Sequence, residues 1–548
     1  MVEKKFDLGG NDFIHNGLWI AFEMLRGRIS KSEYHLILFL LSIFKEGLFE
    51  KAQFERYEAK RILINELHNS YKHKEIADIF LPTINRLDDS VLNEVIYIFS
   101  KFDRHLIEEH FSTIFDYILY KISDILGKQE TGILQPIELT RLINEISDIP
   151  KNAKVYNPFA GLASFGVFLD EDQIYFGQEF NEIIWAIGTL RLMAHGHFHN
   201  FFYKQENSIT NWPEQEKFDL IVSNPPFGLR LGHEYRGNYP QFNTIEPLLI
   251  EKGIASLKET GKLIAVLPQG FLFRSGQEQT TREYMVNSDL LEMVVSIPGG
   301  LMKHTGIPFC VVILNKAKAQ LDLVRFVDAG ECVESVGRGK RLNDVELCRL
   351  VKSQAESDSV RIVTNDAIRQ NQFNLNVRRY FIKEYDGVSL GNVGAINRGE
   401  KVADGLVGKY IRIRDLSDDE IRYTLDIETI ESAELPKYAK KIDHSCILLA
   451  VRWKNLKPTY FDFDGVPVFI SSDIISLEID ETKVDVGYLI SELSQAYVSE
   501  QIESFQVGDT VPRIFIEDLL QIKIQLPSLS EQIENKLNST LTHLKSLI

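Results

Sequence analysis

Residues 218–227 read Phe-Asp-Leu-Ile-Val-Ser-Asn-Pro-Pro-Phe, FDLIVSNPPF. Two consecutive prolines lack N–H donors and cannot continue a ladder, so the apolar run predicts a buried strand that stops at a rigid corner. The same texture extends outward. Upstream lie KVYNPF (154–159) and QIYFGQEF (173–180); downstream lie KLIAVLPQGF (262–271), LEMVVSIPG (291–299) and FCVVILNK (309–316). Helical stretches separate short apolar strands, and this alternation predicts a Rossmann-like, doubly wound α/β sheet. Each strand is followed by glycine, proline or asparagine, where an open parallel sheet places its ligand-binding loops.

The flanking regions differ. Residues 1–125 are poor in glycine and proline. In LRGRISKSEYHLILFLLSIFKEGLF (25–49) and NEVIYIFSKFDRHLIEEHFSTIFDYILYKISDIL (93–126), apolar positions recur every three or four residues, which predicts a helical bundle. The texture changes after Gly132, so the α/β domain is placed at 126–330, followed by a polar connector at 331–384. From 385 to 548 the strand-like SCILLAVRW (445–453), TYFDFDGVPVFISS (459–472) and DIISLEID (473–480) are followed by helical YLISELSQAYVSEQIESF (488–505) and SEQIENKLNSTLTHLKSLI (530–548). This predicts a separate α+β domain with a C-terminal helix.

A chain of 548 residues is long enough for about three such domains. No apolar run approaches the roughly 20 residues of a bilayer span, and MVEKKFDLGGND has no signal-peptide core. Tyr34–Ile43 is about half that length and reads as a buried helix. Cys310, Cys332, Cys348 and Cys446 form no CxxC pair, which suits free thiols in a cytoplasmic setting. A net charge of -17 argues against a protein that merely coats nucleic acid. It leaves room for local contacts, for which Arg230/Arg236, Arg338–Arg341 and Arg378/Arg379 are candidates, with a solvated surface as the alternative.

The corner Asn224-Pro225-Pro226-Phe227 carries chemistry. A planar aromatic amine is a poor nucleophile because its lone pair is delocalised. Two acceptors gripping its two hydrogens favour a pyramidal nitrogen and free that pair. The Asn224 side-chain oxygen and the Pro225 carbonyl are such acceptors, and Phe227 offers a face for a base taken out of a duplex. A plain turn with a packed Phe is the alternative. Upstream, Asn157-Pro158-Phe159-Ala160-Gly161 is predicted to open a helix, with small residues that let backbone amides approach a cofactor. Glu179 ends the next strand, where an acid accepts bonds from both hydroxyls of a ribose or else lies on the surface. Glu206-Asn207-Ser208 follows, where a loop reaches an adenine, and Gln135-Pro136 precedes the helix IELTRLINEI (137–146), placed to fold over the other end of the cofactor. His195, His197 and His199 in AHGHFHN invite a metal reading, but no nearby cysteine or acid completes a set, so a helix end and loop is preferred.

In this order the segments resemble the gamma class of amino-methyltransferases, and above all the modification subunit of type I restriction systems. Leu134-Gln135-Pro136 stands where that family has Tyr-Thr-Pro; VLPQGFLFRSG (266–276), TGIPFCVVILNK (305–316) and the helical N-terminus also match. The resemblance covers about residues 20–330. It implies S-adenosylmethionine as cofactor, held by Gln135, Pro136, Asn157, Phe159, Ala160, Gly161, Glu179, Asn207 and Asn224. Asn224, Pro225, Pro226 and Phe227 would form the catalytic corner, acting on adenine N6 in double-stranded DNA, with cytosine N4 as the alternative base. Three positions depart from the family pattern: Asn157 and Asn207 replace acids, and Ala163 replaces a glycine. A catalytically silent DNA-recognition module is the alternative those departures raise, and an RNA or protein amine is another substrate. No nuclease motif is apparent.

The C-terminal domain resembles one target-recognition half of a type I specificity subunit through VSLGNVGAINRGEKV (388–402), Gly508-Asp509-Thr510-Val511-Pro512 and IKIQLPSLSEQ (522–532). One half implies an asymmetric target or a homodimer paired through the terminal helix; a separate restriction subunit is a further implied partner. Arg452, Trp453 and Lys454 are candidate DNA contacts, with a core Trp as the alternative.

Overall fold

The computed structural model describes residues 12–52, 57–126, 134–197, 199–232, 235, 241–302, 305–337, 339–397, 399–402, 405–419, 422–508 and 511–535. They form two compact units, Met1–Leu375 and Asn376–Ile548.

The first unit begins with helices, including Asp12–Leu25, Leu36–Lys45, Asp89–Phe99 and Phe111–Leu126. Every residue from Leu36 to Phe44 is buried, so this helix is enclosed by its neighbours, as an all-round apolar sequence requires. The same core takes in Ile184, Ala186, Ile187 and Leu190 of the helix Glu182–Ala194. The N-terminal helices therefore share one apolar interior with a helix of the α/β region.

The sheet is built from β1 (Lys154–Asn157), β2 (Ile174–Glu179), β3 (Phe201–Gln205), β4 (Phe218–Ser223), β5 (Leu257–Pro268), β6 (Leu291–Ile297), β7 (Phe309–Asn315) and β8 (Leu323–Asp328). A small hairpin of β9 (Val333–Val336) and β10 (Gly339–Leu342) follows, then β11 (Val360–Thr364). The order is β11-β8-β6-β7-β5-β4-β1-β2-β3. Pairs from β3 through β5 are parallel, whereas β7 runs against both β5 and β6. All seven residues of β7 are buried, the unbroken apolar run expected of a strand covered on both faces.

Two features differ from the sequence reading. The stretch 331–384 contains β11, which pairs with β8 as the sheet's edge, and a helix at Asp344–Lys352, so its polar texture reflects edge and surface positions. No α-helix follows β1: the chain runs through turns to a short 3₁₀ segment at Gly166–Phe168. Phe159, Gly161 and Ala163 have φ of 57, 56 and 52°, and left-handed residues cannot belong to a right-handed helix.

In the second unit Val388–Ser389 pairs antiparallel with Lys523–Ile524, so VSLGN and IKIQLP are joined in space. Between them lie a four-stranded antiparallel sheet and a five-stranded sheet, with helices at Val486–Leu493 and Ala496–Phe505. Leu489, Ile490, Val498 and Ile502 pack with Ile447, Leu449 and Leu477 of the first sheet. Gly132, Arg236, Arg338, Asp509, Thr510 and the chain beyond residue 535, including most of the proposed pairing helix, lie outside the described residues. Among the described residues no helix is long and apolar enough to cross a membrane, and the four cysteines are free.

Candidate active site

β1 has β2 on one side and β4 on the other. The chain order reverses between β1 and β4, and the crevice beyond the C-terminal ends of the strands at such a switch point is where open α/β sheets bind ligands. The two ends are joined there: the buried Ser223 hydroxyl, last in β4, donates to the Pro158 carbonyl at 3.2 Å. The loop Asn157–Ser164 and the corner Asn224–Gly228 thus lie side by side at the switch point.

In the first loop Asn157 is buried at the end of β1. The backbone amides are already engaged: Phe159 N–H donates to the Ser208 hydroxyl (3.3 Å), Ala160 N–H to the Gln178 carbonyl (2.9 Å), Gly161 N–H to Glu179 Oε2 (3.1 Å) and Ala163 N–H to the Ala160 carbonyl (3.0 Å). The sequence reading expected these amides to approach a cofactor as a helix N-terminus. Instead they hold the loop's own shape. Left-handed backbone at a residue with a Cβ costs about 1–2 kcal/mol, so Phe159 and Ala163 are strained positions that the surrounding bonds must secure. The Phe159 ring is half-buried against Ile209, Phe242 and Ile245.

Glu179 lies across from that loop. Its carboxylate accepts from Gly161 N–H and, at 2.8 Å, from Asn181 N–H. Burial pushes its carboxyl above the ordinary value, against those backbone bonds, which pull it down. A carboxylate has about four lone-pair sites, so two donors leave room for a diol. Phe180 beside it is 68% exposed, a large apolar ring left uncovered at the crevice end of β2. In the sequence its signal is no more than its place directly after the acid. Asn207 folds an Asx turn, Oδ1 accepting from Ile209 N–H at 2.9 Å while Nδ2 donates to the Tyr235 hydroxyl at 3.0 Å.

At the corner, Pro225 is buried and Pro226 exposed, with Asn224 and Phe227 half-buried. Asn224 Nδ2 donates to Gln135 Oε1 at 3.2 Å, and Gln135 Nε2 donates to the Thr140 hydroxyl at 2.8 Å. Thr140 lies on the helix Ile137–Ser147, which Pro136 caps. This chain fixes the flip of the Asn224 amide and turns Oδ1 away from Gln135. Among the described residues no group donates to Asn224 Oδ1 or to the Pro225 carbonyl, whereas the Pro226 carbonyl accepts from Leu229 N–H (3.2 Å). Gly228, with φ of 66°, donates to the buried Glu246 carboxylate at 2.6 Å and closes the turn. The Phe227 ring sits 6.2 Å from that of Phe309.

Other candidates fall elsewhere. His195 caps the helix that ends at Ala194 and pairs with Asp116 at 3.2 Å, and His197 faces the Val167 carbonyl, in keeping with the helix-end reading. Arg379 is held in a buried pair with Asp518 (2.6 Å) and Arg341 is paired with Glu334 (2.8 Å), so neither is an uncommitted surface cation. Trp453 is 45% exposed, not a core residue.

Residues 107–386 match the family model of N-6 DNA methylases. The methylase subunit of the type I restriction enzyme MpnII from Mycoplasma pneumoniae is 21% identical over 356 residues, 58% of this chain and 65% of that protein. The MjaVII methylase subunit from Methanocaldococcus jannaschii is 26% identical over 347 residues, 56% of this chain and 59% of its own length. The chain thus spans about three-fifths of these curated relatives. In fold it is similar to the type I restriction-modification methyltransferase subunit from Streptococcus thermophilus, with a TM-score of 0.54 at 17% identity, over 67% of this chain and 98% of that one. The matched segment holds both loops of the crevice, and the chain belongs to the N-6 DNA methylase family.

Proposed function

We propose that the protein transfers a methyl group from S-adenosylmethionine to the N6 amine of adenine in double-stranded DNA, as the methylating component of a restriction-modification system. The observation that carries this is the corner after β4: two acceptors, Asn224 Oδ1 and the Pro225 carbonyl, stand unengaged among the described residues while the amide's donor end is held by Gln135. The curated relatives' names, methylase subunits of type I restriction enzymes, support the same reading.

The residues of the crevice fit the cofactor. The left-handed loop at Phe159–Ala163 turns the chain at the end of β1, Glu179 has acceptor capacity for both ribose hydroxyls, and the bare Phe180 ring offers a face to adenine. Asn157, Ala160 and Gly161 would line its path, Asn207 would offer its second Nδ2 hydrogen, and Gln135-Pro136 would close the methionine end. Bound S-adenosylmethionine supplies an electrophilic methyl group on a positively charged sulfur.

The chain's own work is positional. Asn224 Oδ1 and the Pro225 carbonyl accept the two hydrogens of the amine and hold them out of the ring plane, restoring the nitrogen lone pair. The same two oxygens stabilise the positive charge that grows on nitrogen as its new bond forms. No strong base is needed, because the alkylated amine is acidic and releases its proton to water. Pro225-Pro226 keeps the acceptors from rotating away, and Phe227 stacks on the extruded base.

The C-terminal unit would supply target recognition. A cavity of about 680 Å³ there is lined by Tyr410, Arg412, Arg414, Tyr438 and Ser471 together with the acids Glu434 and Asp473, with the Arg412 guanidinium 5.4 Å above the Tyr410 ring and Tyr438 60% exposed. Arginine, hydroxyl and exposed aromatic side chains are the groups that read base edges and phosphates. Homodimer pairing through the terminal helix and a separate restriction subunit belong to the same proposal. Incubating the purified protein with unmethylated DNA and labelled S-adenosylmethionine, then analysing nucleosides, should yield N6-methyladenine. N4-methylcytosine would change the substrate base, and no product despite bound cofactor would make the protein a recognition module.

A further inference from the structure

We propose that the buried pair Asp116–Arg191 is a positioning device for the cofactor loop, through which the N-terminal helices set the affinity for S-adenosylmethionine. The inference rests on the reading of Asn157–Ser164 as the cofactor loop.

Arg191 lies on the helix Glu182–Ala194 and is 1% exposed. A cation so deep is tolerated only when paired and fully hydrogen-bonded. Its partner Asp116, on the helix Phe111–Leu126, grips it bidentately: Nε to Oδ1 at 2.7 Å and Nη2 to Oδ2 at 3.1 Å. His195 Nε2 stands 3.2 Å from the same Oδ2.

A pair meant only to staple two helices would stop there, and apolar residues of similar volume commonly serve that purpose as well. The third guanidinium nitrogen does something else. Nη1 donates to the Leu162 carbonyl at 3.2 Å and to the Ser164 hydroxyl at 3.2 Å. Both are in the loop whose residues Phe159, Gly161 and Ala163 are left-handed. The guanidinium is planar, so the Asp116 grip on one edge fixes where Nη1 points. Two further supports meet the loop from the same helix and its neighbour. The Tyr203 hydroxyl donates to the Gly161 carbonyl. Gly188 has no Cβ where one would stand 3.2 Å from that carbonyl and 2.7 Å from the Tyr203 ring. Left-handed residues persist only where surroundings over-determine them, and Arg191 is the cation in that set.

The whole 548-residue chain is tested by calorimetric binding of S-adenosylmethionine together with thermal melting. The double variant Asp116→Leu/Arg191→Met removes the charges as a pair and should melt near wild type. Its cofactor affinity should fall about 10-fold, the scale of hydrogen bonds from a charged donor. Amide exchange over 158–164 should quicken in it, and kcat at saturating cofactor should hold while KM for the cofactor rises. Wild-type affinity in the folded double variant would overturn the proposal and leave a structural staple. If the double variant does not fold, Ser164→Ala decides, since it removes one loop-side acceptor and leaves the pair intact. A weakening of about 3-fold is expected, and unchanged affinity overturns the idea. Failure of the wild-type protein to bind S-adenosylmethionine would overturn the cofactor reading instead.

Discussion

The two loops that meet at the switch point are made stiff by opposite means. The corner after β4 is stiff covalently: two prolines fix the backbone, and among the described residues nothing engages its two acceptors. The loop after β1 is stiff by support. It carries strained left-handed residues, and its amides, carbonyls and neighbours are bound to Gln178, Glu179, Tyr203, Ser208 and Arg191. A loop built the first way presents groups to a reacting atom; one built the second way presents a shape. Substitutions at the corner should therefore act on the rate, and those around the loop on cofactor affinity or stability.

The sharpest way to break that comparison is Asn224→Ala. With one of two aligned acceptors removed, methyl transfer should fall by about 10²–10³ in kcat, the size reported for single preorganised polar groups. S-adenosylmethionine affinity should change little, because the first loop is untouched. Single-turnover kinetics paired with equilibrium binding measures both, and turnover like that of wild type would refute the corner as the site of chemistry.

Next in size is Glu179→Gln, which should weaken cofactor binding about 10-fold or more, the scale of a hydrogen bond to a charged acceptor. The wild-type pH profile sharpens this. Burial raises the Glu179 carboxyl, so the folded protein favours its ionised form less than an exposed glutamate would. A raised carboxyl contributes stability below its unfolded pKa that is lost as pH rises through the folded one. Acidification therefore does not unfold the protein through this group. It does remove the charge that a ribose diol would use. Affinity should start to fall on acidification while pH is still above the ordinary Glu value of about 4.3, and the Gln variant should show a flat profile. A sloped profile in the variant would assign the pH dependence to another group.

Gly188→Ala probes the support from beneath. The added Cβ would press on the Tyr203 ring and hydroxyl and on the Gly161 carbonyl. Overpacking of this kind costs about 1–3 kcal/mol, and melting should register it alongside weaker cofactor binding. Loss of stability with wild-type affinity would show that the loop does not depend on that contact.

What the sequence revealed follows the same division. The corner was legible because covalent rigidity is written in residue identity: FDLIVS and two prolines mark strand and stop together. The place of Glu179 at the end of β2 was legible from the apolar run before it. The loop's real conformation was not, because small residues between strand and helix usually open a helix, and only packing decides that Phe159 and Ala163 turn left-handed. Arg191 was invisible for a related reason. It sits in the last turn of EIIWAIGTLRLMA, where a basic residue is unremarkable, and its partner Asp116 is 75 positions away. Arg379 misled in the same way, its partner Asp518 being far along the chain.

Ala163 joins the two kinds of evidence. The family resemblance places a glycine there, and the fully buried alanine has a φ of 52°, a region glycine enters freely. Ala163→Gly should therefore relieve about 1–2 kcal/mol of left-handed strain. Against this stand a buried methyl worth about 0.8 kcal/mol and the extra chain entropy of glycine, about 0.4–1 kcal/mol. The terms nearly cancel, so stability should move by less than about 1 kcal/mol, the smallest effect in the set. Affinity should stay near wild type, because the Arg191, Tyr203 and Glu179 contacts hold the loop without the methyl. A loss above about 2 kcal/mol in chemical denaturation would instead mean that the methyl packs the loop against the sheet. Support would then come from apolar contact at this position, and the contrast with the proline corner would weaken by that much.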